Sequence, residues 1–264
     1  MDSQKIIESL EQLAPLKLAE PWDNPGFQIG RAGHEVSSVF LALDATKEVI
    51  DRALDCKADM LITHHPLIFS GIKNILDDDF IGRRIIRLIE GEINYYAMHT
   101  NFDVAVMAKY AATLLDLHQC KVLEVTHTSS CGEMSVEMGI GCTGLLKEPM
   151  SLKDCAEWAK KVFCIPNVKI YGDLGAMIQR VSVSPGSGKG MSEAAIRQKA
   201  EVLITGDIGH HEGIDAIARG IFIIDAGHHG IEHIFVDYMK SFFKENWSDI
   251  KVYTEDNISP FTVI

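Results

Sequence analysis

Two short segments that lie 142 residues apart constrain the fold of this chain more than any other feature. KADMLIT (57–63) and KAEVLIT (199–205) are identical at five of seven positions. At the same offset, VFLALDAT (39–46) lies over VSVSPGSG (181–188), and each is a strand pattern that leads through a loop into a helical pattern. The shared order of strand, helix and strand predicts an internal duplication with two similar α/β lobes.

Apolar and β-branched runs alternate with helical patterns along most of the chain. Runs such as MLIT and IFIID have the composition of buried strands, and ATKEVIDRALDC and MSEAAIRQKA have the spacing of amphipathic helices. This alternation predicts α/β layers with largely parallel pairing. In such sheets, functional sites collect at the carboxyl ends of the strands.

The segment between the two halves has its own pattern. GIGCTG, EPMSLKDCAEWAKKVF and VKIYG are typical of a strand, a helix and a strand, and Ser151 after Pro149 marks a capped helix start. We therefore expect a first α/β lobe over residues 1–125, a small inserted α/β domain over 126–175, and a second lobe over 176–264 that completes the functional site.

Composition excludes some classes of function and favours others. The chain has 264 residues, 47% of them hydrophobic, which is enough for a substantial core. Its formal net charge of -12 disfavours nucleic-acid binding. The start, MDSQKIIESLEQL, has an amphipathic helix pattern without a basic leader, and no apolar run approaches membrane-spanning length. We expect a cytoplasmic protein that does not engage a membrane.

The six cysteines form no C-x-x-C pair, so they are expected to be reduced thiols outside any metal site. The eleven histidines are distributed unevenly and include three adjacent pairs. His64 and His65 end a buried strand pattern, which singles out this pair as a candidate site. The other two adjacent pairs are His210 with His211 and His228 with His229.

A second pattern places histidine and carboxylate four residues apart after a strand in each half. INYYAMHTNFD carries His99 and Asp103, and IFIIDAGHHGIE carries His228 and Glu232. Any one of these motifs alone is equally typical of a polar strand end at the protein surface. Their combined placement after strands in both halves predicts a metal site.

The predicted metal ligands are three imidazoles and two carboxylates. Such a set suits zinc, manganese, iron or nickel and is too small to saturate two ions, so positions remain for water. His99 matches His228 in the repeat, and it either touches metal or orients a ligand and shuttles a proton. The predicted ligands are His64, His65, Asp103, His228 and Glu232.

Two further segments carry polar groups, and each of them has two possible roles. In GDIGHH, Asp207 either approaches the site with His210 and His211, or caps a helix whose first turn carries the two histidines. In WDNPGFQIG, Asp23 and Asn24 either face the same cleft or belong to a structural loop.

Two glycine patterns have little support as ligand sites. Gly139, Gly141 and Gly144 satisfy G-x-G-x-x-G, but no helix pattern opens there, so a dinucleotide fingerprint lacks its context. PGSGKG precedes a helix and offers backbone N–H groups and Lys189 to an anion, without the Walker spacing.

As an ordered set, these motifs resemble the NIF-three-like family, also called the dinuclear metal centre family, whose bacterial members are named GTP cyclohydrolase 1 type 2 homolog. The resemblance covers nearly the whole chain. It departs from the expected pattern at PGSGKG, where a more glycine-rich loop is expected. The segments that carry it are WDNPGFQIG, LALDATKEVI, ITHHPLIF, HTNFD, EPMSL, ITGDIGHH and GHHGIE.

The resemblance implies two divalent metal ions per chain on those five predicted ligands, and a toroidal homohexamer with its metal sites facing an inner cavity. The leading hypothesis is a metal-dependent hydrolase in which a metal-bridged hydroxide attacks a carbon or phosphorus centre of a nucleotide or phosphoester. The specific form is a GTP cyclohydrolase-like reaction at C8 of guanine, with His99 as the catalytic proton shuttle. The alternative is a metal-binding oligomeric scaffold or regulator that engages a protein partner without turnover.

Overall fold

The computed structural model describes residues 1–131 and 134–262. Its helices, apart from a 3-10 turn at Leu16–Leu18 and a π-helical segment at Asp103–Met107, are α1 (Ser3–Leu13), α2 (Lys47–Asp55), α3 (Phe80–Glu90), α4 (Thr100–Phe102), α5 (Ala108–Leu114), α6 (Leu152–Val162), α7 (Met191–Arg197), α8 (His210–Ala218), α9 (His228–Glu232) and α10 (Ile234–Asn246). Its strands are β1 (Gly26–Ile29), β2 (Ser38–Ala42), β3 (Met60–Thr63), β4 (Asn94–Ala97), β5 (His118–Cys131), β6 (Met134–Ser151), β7 (Lys169–Tyr171), β8 (Met177–Ser187), β9 (Val202–Gly206), β10 (Phe222–Asp225) and β11 (Lys251–Thr254).

The chain forms two compact units. Unit 1 comprises Met1–Phe102 and Phe235–Asp256, and unit 2 comprises Asp103–Ile234 and Asn257–Ile264. Each unit is organised around its own sheet, so the predicted mixed α/β class is confirmed.

Unit 1 has a five-stranded sheet in the order β1-β4-β3-β2-β11. β4, β3, β2 and β11 run parallel, and β1 is antiparallel at one edge. The inner strands β2, β3 and β4 are buried along their whole length, as is typical of a parallel sheet that helices cover. Helix α2 begins where the Thr46 hydroxyl accepts the Val49 N–H, and it packs Ile50 and Ala53 into this core.

Unit 2 has a six-stranded sheet in the order β5-β6-β8-β9-β10-β7. Its centre, β8-β9-β10, is parallel, and the other pairs are antiparallel. The predicted strand, helix and strand between the two halves are β6, α6 and β7. As expected, Ser151 caps α6 by accepting the Asp154 N–H. The whole segment 126–175 lies within unit 2, and its independence as a domain stays a prediction.

The pairing registers support the predicted duplication. Phe40 pairs with Leu61 in unit 1, and the residues at the 142-residue offset, Ser182 and Leu203, pair in unit 2. The turns before the second strands also match. Lys57 and Lys199 both adopt left-handed backbone conformations, with φ of 54° and 58°.

The third strands correct one detail of the repeat. Thr63 pairs with Ala97 in unit 1, and Thr205 pairs with Asp225 in unit 2. By this register His99 matches Gly227, one residue before His228. The motif-based equivalence of His99 and His228 is therefore wrong by one position, because spacing along the chain does not fix strand pairing.

In the part of the chain that the structure describes, no helix has both the length and the apolar character needed to span a membrane. The cysteines Cys56, Cys120, Cys142, Cys155 and Cys164 are free thiols.

Candidate metal centre

The first group of candidate ligands lies at the carboxyl end of the unit 1 sheet. β3 ends at Thr63, and the chain then turns through His64, which is fully buried, and His65, which is partly buried. His99 follows β4, the neighbouring parallel strand. Because parallel strands end at the same edge, the sheet brings all three histidines to one place.

A backbone carbonyl fixes the orientation of the His64 ring. Its Nδ1 lies 2.7 Å from the carbonyl oxygen of Met98. A carbonyl can only accept, so Nδ1 carries the proton and Nε2 carries the lone pair in the neutral ring. That tautomer presents Nε2 as the metal-binding atom.

Carboxylates orient the other two rings in the same way. His65 Nδ1 lies 3.0 Å from an oxygen of Asp44, which follows β2, and His99 Nδ1 lies 2.7 Å from an oxygen of Asp23. A carboxylate holding the far nitrogen of a ligating imidazole is the usual arrangement around protein-bound metals. Asp44 was not among the predicted site residues, and the sequence signal for it is its position at the end of the apolar run VFLALD.

The three rings converge closely. One nitrogen from each of His64, His65 and His99 lies within 4.8 Å of the other two. The ring centroids are 5.0 to 5.4 Å apart. Three neutral imidazoles at this spacing form a donor set that could hold a metal ion.

Asp23 is bound on both oxygens. One accepts from His99, and the other accepts from the backbone N–H and the hydroxyl of Thr100, at 3.0 and 2.5 Å. Burial raises the pKa of this carboxyl, but these hydrogen bonds outweigh burial and lower the pKa to about 2. Asp23 is therefore ionised at neutral pH and supports His99. Of the two readings of the WDN loop, a role at the site applies to Asp23, while Asn24 bonds the carbonyl of Ile68.

Unit 2 carries the second group of candidate ligands. His228 and Glu232 lie one turn apart on α9, and His228 Nε2 is 3.0 Å from Glu232 Oε2. The other ring nitrogen, Nδ1, is 2.8 Å from an oxygen of Asp207. Asp207 thus plays the orienting part for His228 that Asp44 plays for His65.

Asp103 belongs to the same group. It begins the π-helical segment, and one of its carboxylate oxygens lies within 4.8 Å of an oxygen of Glu232. Glu232 is almost fully buried. Ionised carboxylates close together in a low-dielectric environment repel each other, so a nearby cation would stabilise this arrangement.

A glycine makes room for Glu232. At Gly186, with φ +85°, a Cβ would lie 2.3 Å from Glu232 Oε1. Position 186 of the PGSGKG loop thus requires glycine, because a side chain there would overlap a candidate ligand. Further along it, the Gly190 N–H donates to Glu212, so an internal carboxylate occupies the place suggested for a bound anion.

The remaining sequence candidates lie apart from these groups. His210 and His211 stand exposed at the start of α8, whose N-cap residue is Gly209. Asp207 does not cap this helix, since it turns instead towards His228. The G-x-G-x-x-G glycines fall inside β6, so the helix that a dinucleotide fingerprint requires does not open at them.

The fold and these groups define a class: an α/β protein with two sheets whose strand ends carry histidine and carboxylate groups that could hold metal ions. The model for Duf34/NIF3 (NGG1p interacting factor 3) matches residues 1–259. The chain belongs to this family, which confirms the resemblance seen in the sequence.

Individual relatives agree with this assignment. A Clostridium perfringens protein named GTP cyclohydrolase 1 type 2 homolog is 32% identical over 235 residues, covering 88% of this chain and 87% of its own length. A Streptococcus pneumoniae protein of the same name is 30% identical over 260 residues, covering 97% and 95%. The crystal structure of a Bacillus cereus protein related to NIF3 has a TM-score of 0.89 at 23% identity, covering 100% and 99%, and supports the fold.

Proposed function

We propose that this protein binds two divalent metal ions and uses them to hydrolyse a nucleotide or phosphoester. The proposed ligands are the five that the sequence predicts, His64, His65, Asp103, His228 and Glu232. The observation that carries the proposal is the shared orientation of the histidines. In both units, each candidate imidazole has its Nδ1 held by an oxygen and its Nε2 directed away from it.

The donor chemistry fits metals of intermediate softness. Imidazole nitrogens and carboxylate oxygens bind zinc, manganese, iron and nickel, and several of these ions suit one set of ligands. When bound in pairs, such ions acidify water and polarise the bond under attack. The five ligands leave positions for water and substrate on both ions.

His99 is proposed as the proton carrier of the reaction. Its Nδ1 is held by Asp23, and one of its ring nitrogens lies within 4.8 Å of a nitrogen of His64 and of His65. A histidine held in this way can pass a proton between water and a leaving group. His99 is therefore proposed as a catalytic residue, supported by Asp23 as a positioning residue.

The name shared by the Clostridium and Streptococcus relatives makes GTP ring opening the specific form to test. The toroidal homohexamer implied by the resemblance is part of this proposal. The alternative function is a metal-binding scaffold or regulator that engages a protein partner without turnover.

The test is turnover by protein stripped with a chelator and then reloaded separately with zinc, manganese, iron or nickel. GTP, other nucleotides and simple phosphoesters are the substrates. The proposal expects hydrolysis of at least one of them that requires added metal and falls by about 100-fold or more in Glu232→Gln. His210→Ala, an exposed histidine of the same unit, is the matched control and should retain full activity.

Equal turnover in Glu232→Gln and the parent would contradict the proposed mechanism. Metal binding without turnover on any substrate, together with loss of assembly when metal is removed, would favour the scaffold. A catalytic ion can be removed with the fold retained, whereas a structural ion cannot.

A further inference from the structure

A cavity of about 490 Å³ lies in unit 2, beside the loop that carries His228. One wall is the turn after α6, residues 164–167, and another is the segment 257–262. The floor includes Ala226, Gly227 and Gly230, which flank the candidate ligand in the chain. This volume is in the range of pockets that bind small organic molecules.

Close packing joins this cavity to the helix of the candidate ligands. A Cβ at Gly230, within α9, would lie 2.6 Å from the Ile165 side chain. Glycine at this position therefore allows the 164–167 turn to lie directly against the helix that carries His228 and Glu232. A molecule in the cavity would contact the backbone next to His228.

The lining of the cavity has an unusual charge distribution for this chain. Charged residues make up 23% of the sequence, yet none of the described residues lining the cavity is Asp, Glu, Lys or Arg. The polar lining groups are amides, hydroxyls and one imidazole, and Phe261, at 61% exposed, offers an aromatic face. The polar residues are Asn167, His229, Asn257, Ser259 and Thr262.

We infer that this cavity binds a neutral, planar heteroaromatic group that carries hydrogen-bond donors and acceptors on its edge. This inference rests on the proposed function, and it assigns the cavity to the recognition of the uncharged ring of the substrate. Phe261 provides a stacking surface, and the amides of Asn167 and Asn257 each offer both a donor and an acceptor to a ring edge.

Other ligand classes fit the lining less well. Among the described lining residues, a phosphate or carboxylate would meet no Lys or Arg side chain, so it would be desolvated without a compensating charge. An aliphatic chain would cover the amides and hydroxyls without satisfying their hydrogen bonds. A neutral ring with a polar edge can pack its face against the apolar surface and form hydrogen bonds with the polar groups.

The test is equilibrium dialysis of metal-free protein with adenosine and guanosine as neutral planar probes, adenosine monophosphate as a charged probe, and ribose as a non-aromatic probe. At least one nucleoside is expected to bind, ribose is not, and the monophosphate should bind no more tightly than adenosine. Phe261→Ala should weaken nucleoside binding by about tenfold. Phe80→Ala, with 56% exposure in unit 1, is the matched control and should leave binding unchanged.

Equal nucleoside binding by Phe261→Ala and the parent would overturn the inference, as would tenfold tighter binding of the monophosphate than of adenosine. Absence of binding by both nucleosides would also overturn it. Because Phe261 is exposed, its replacement should leave the melting temperature unchanged, which can be checked directly. Asn167→Leu, at a second exposed position, should weaken binding independently.

Dialysis of metal-free and metal-loaded protein separates this inference from the proposed function. Nucleoside binding by a protein that takes up no metal would leave the cavity assignment standing and remove the metal centre. Metal uptake without nucleoside binding would do the reverse.

Discussion

His228 Nε2 lies 3.0 Å from Glu232 Oε2, while the other nitrogen of the same ring is held by a second carboxylate, Asp207. When its proton is on Nδ1, the neutral ring turns the Nε2 lone pair towards Glu232, an arrangement of donor atoms that suits a metal ion. In unit 1, an oxygen likewise holds Nδ1 of His64 and Nδ1 of His65, which leaves Nε2 of each ring as the candidate metal-binding atom.

Asp207→Asn should weaken metal binding without weakening the fold. The Asp207 carboxylate holds Nδ1 of His228 and raises the basicity of the ring, and loss of such a partner typically costs 10- to 100-fold in affinity. Asp207 is 60% exposed, so stability should change little. Competition against a coloured chelator measures the affinity. Asp215→Asn on the exposed side of α8 is the control, and equal affinities of the two variants would refute the role assigned to Asp207.

Gly186→Ala should displace Glu232. The new methyl group would lie 2.3 Å from Glu232 Oε1, on a left-handed backbone. Gly190→Ala is a close control, since Gly190 has φ +80° and a Cβ added there would meet no atom within 4 Å. Backbone strain alone should cost about 1–2 kcal/mol in each variant.

Gly186→Ala should cost about 1–3 kcal/mol more than Gly190→Ala in urea unfolding of metal-free protein, because of the steric overlap. It should also bind metal at least tenfold more weakly. The same stability and metal affinity in both variants would show that the loop does not position Glu232.

His99→Gln should separate proton transfer from metal binding. If His99 acts as the proton carrier, turnover should fall by about 100-fold or more while the metal content per chain stays at the parent value. Steady-state kinetics and elemental analysis of the same preparation provide both measurements. Loss of a metal ion from His99→Gln would instead make His99 a ligand.

Glu255→Gln should change the pH dependence of stability in metal-free protein. Burial raises the pKa of Glu255 from its ordinary value of 4.5 to about 7, against a hydrogen bond from the Leu43 N–H and with the Asp44 charge adding to the increase. Between those two pH values, the folded state holds a proton that the unfolded state has lost. The free energy of unfolding should therefore fall as pH rises from about 4.5 to about 7.

Glutamine keeps the acceptor for Leu43 and removes the charge. The variant should match the parent near pH 4.5 and be more stable by about 1–3 kcal/mol at pH 8. Urea unfolding at several pH values in the presence of a chelator measures this difference. Parallel pH profiles for the two proteins would show that Glu255 titrates normally.

Several features of the fold were predictable from sequence because they depend on local patterns. The repeat KADMLIT and KAEVLIT marks equivalent strands, and the strand-end rule placed His64, His65 and His99 at one edge of a parallel sheet. Spacing along the chain does not determine how the strands pair, so the predicted match of His99 with His228 was wrong by one residue.

The supporting residues depend on contacts between distant parts of the chain. Asp23 reaches His99 across 76 residues, and Asp44 reaches His65 across 21. The sequence pattern of PGSGKG offered only a weakly supported anion contact, whereas in the structure Gly186 provides space for Glu232. Such steric requirements become visible only when the partner's position is known.

The most direct test of the metal centre is the metal content per chain of protein purified without a histidine tag and without added metal. The parent should hold close to two divalent ions, and the double variant His65→Ala with Glu232→Ala should lose them while remaining folded. A parent that binds no metal even after reconstitution, or a double variant that retains both ions, would contradict the account.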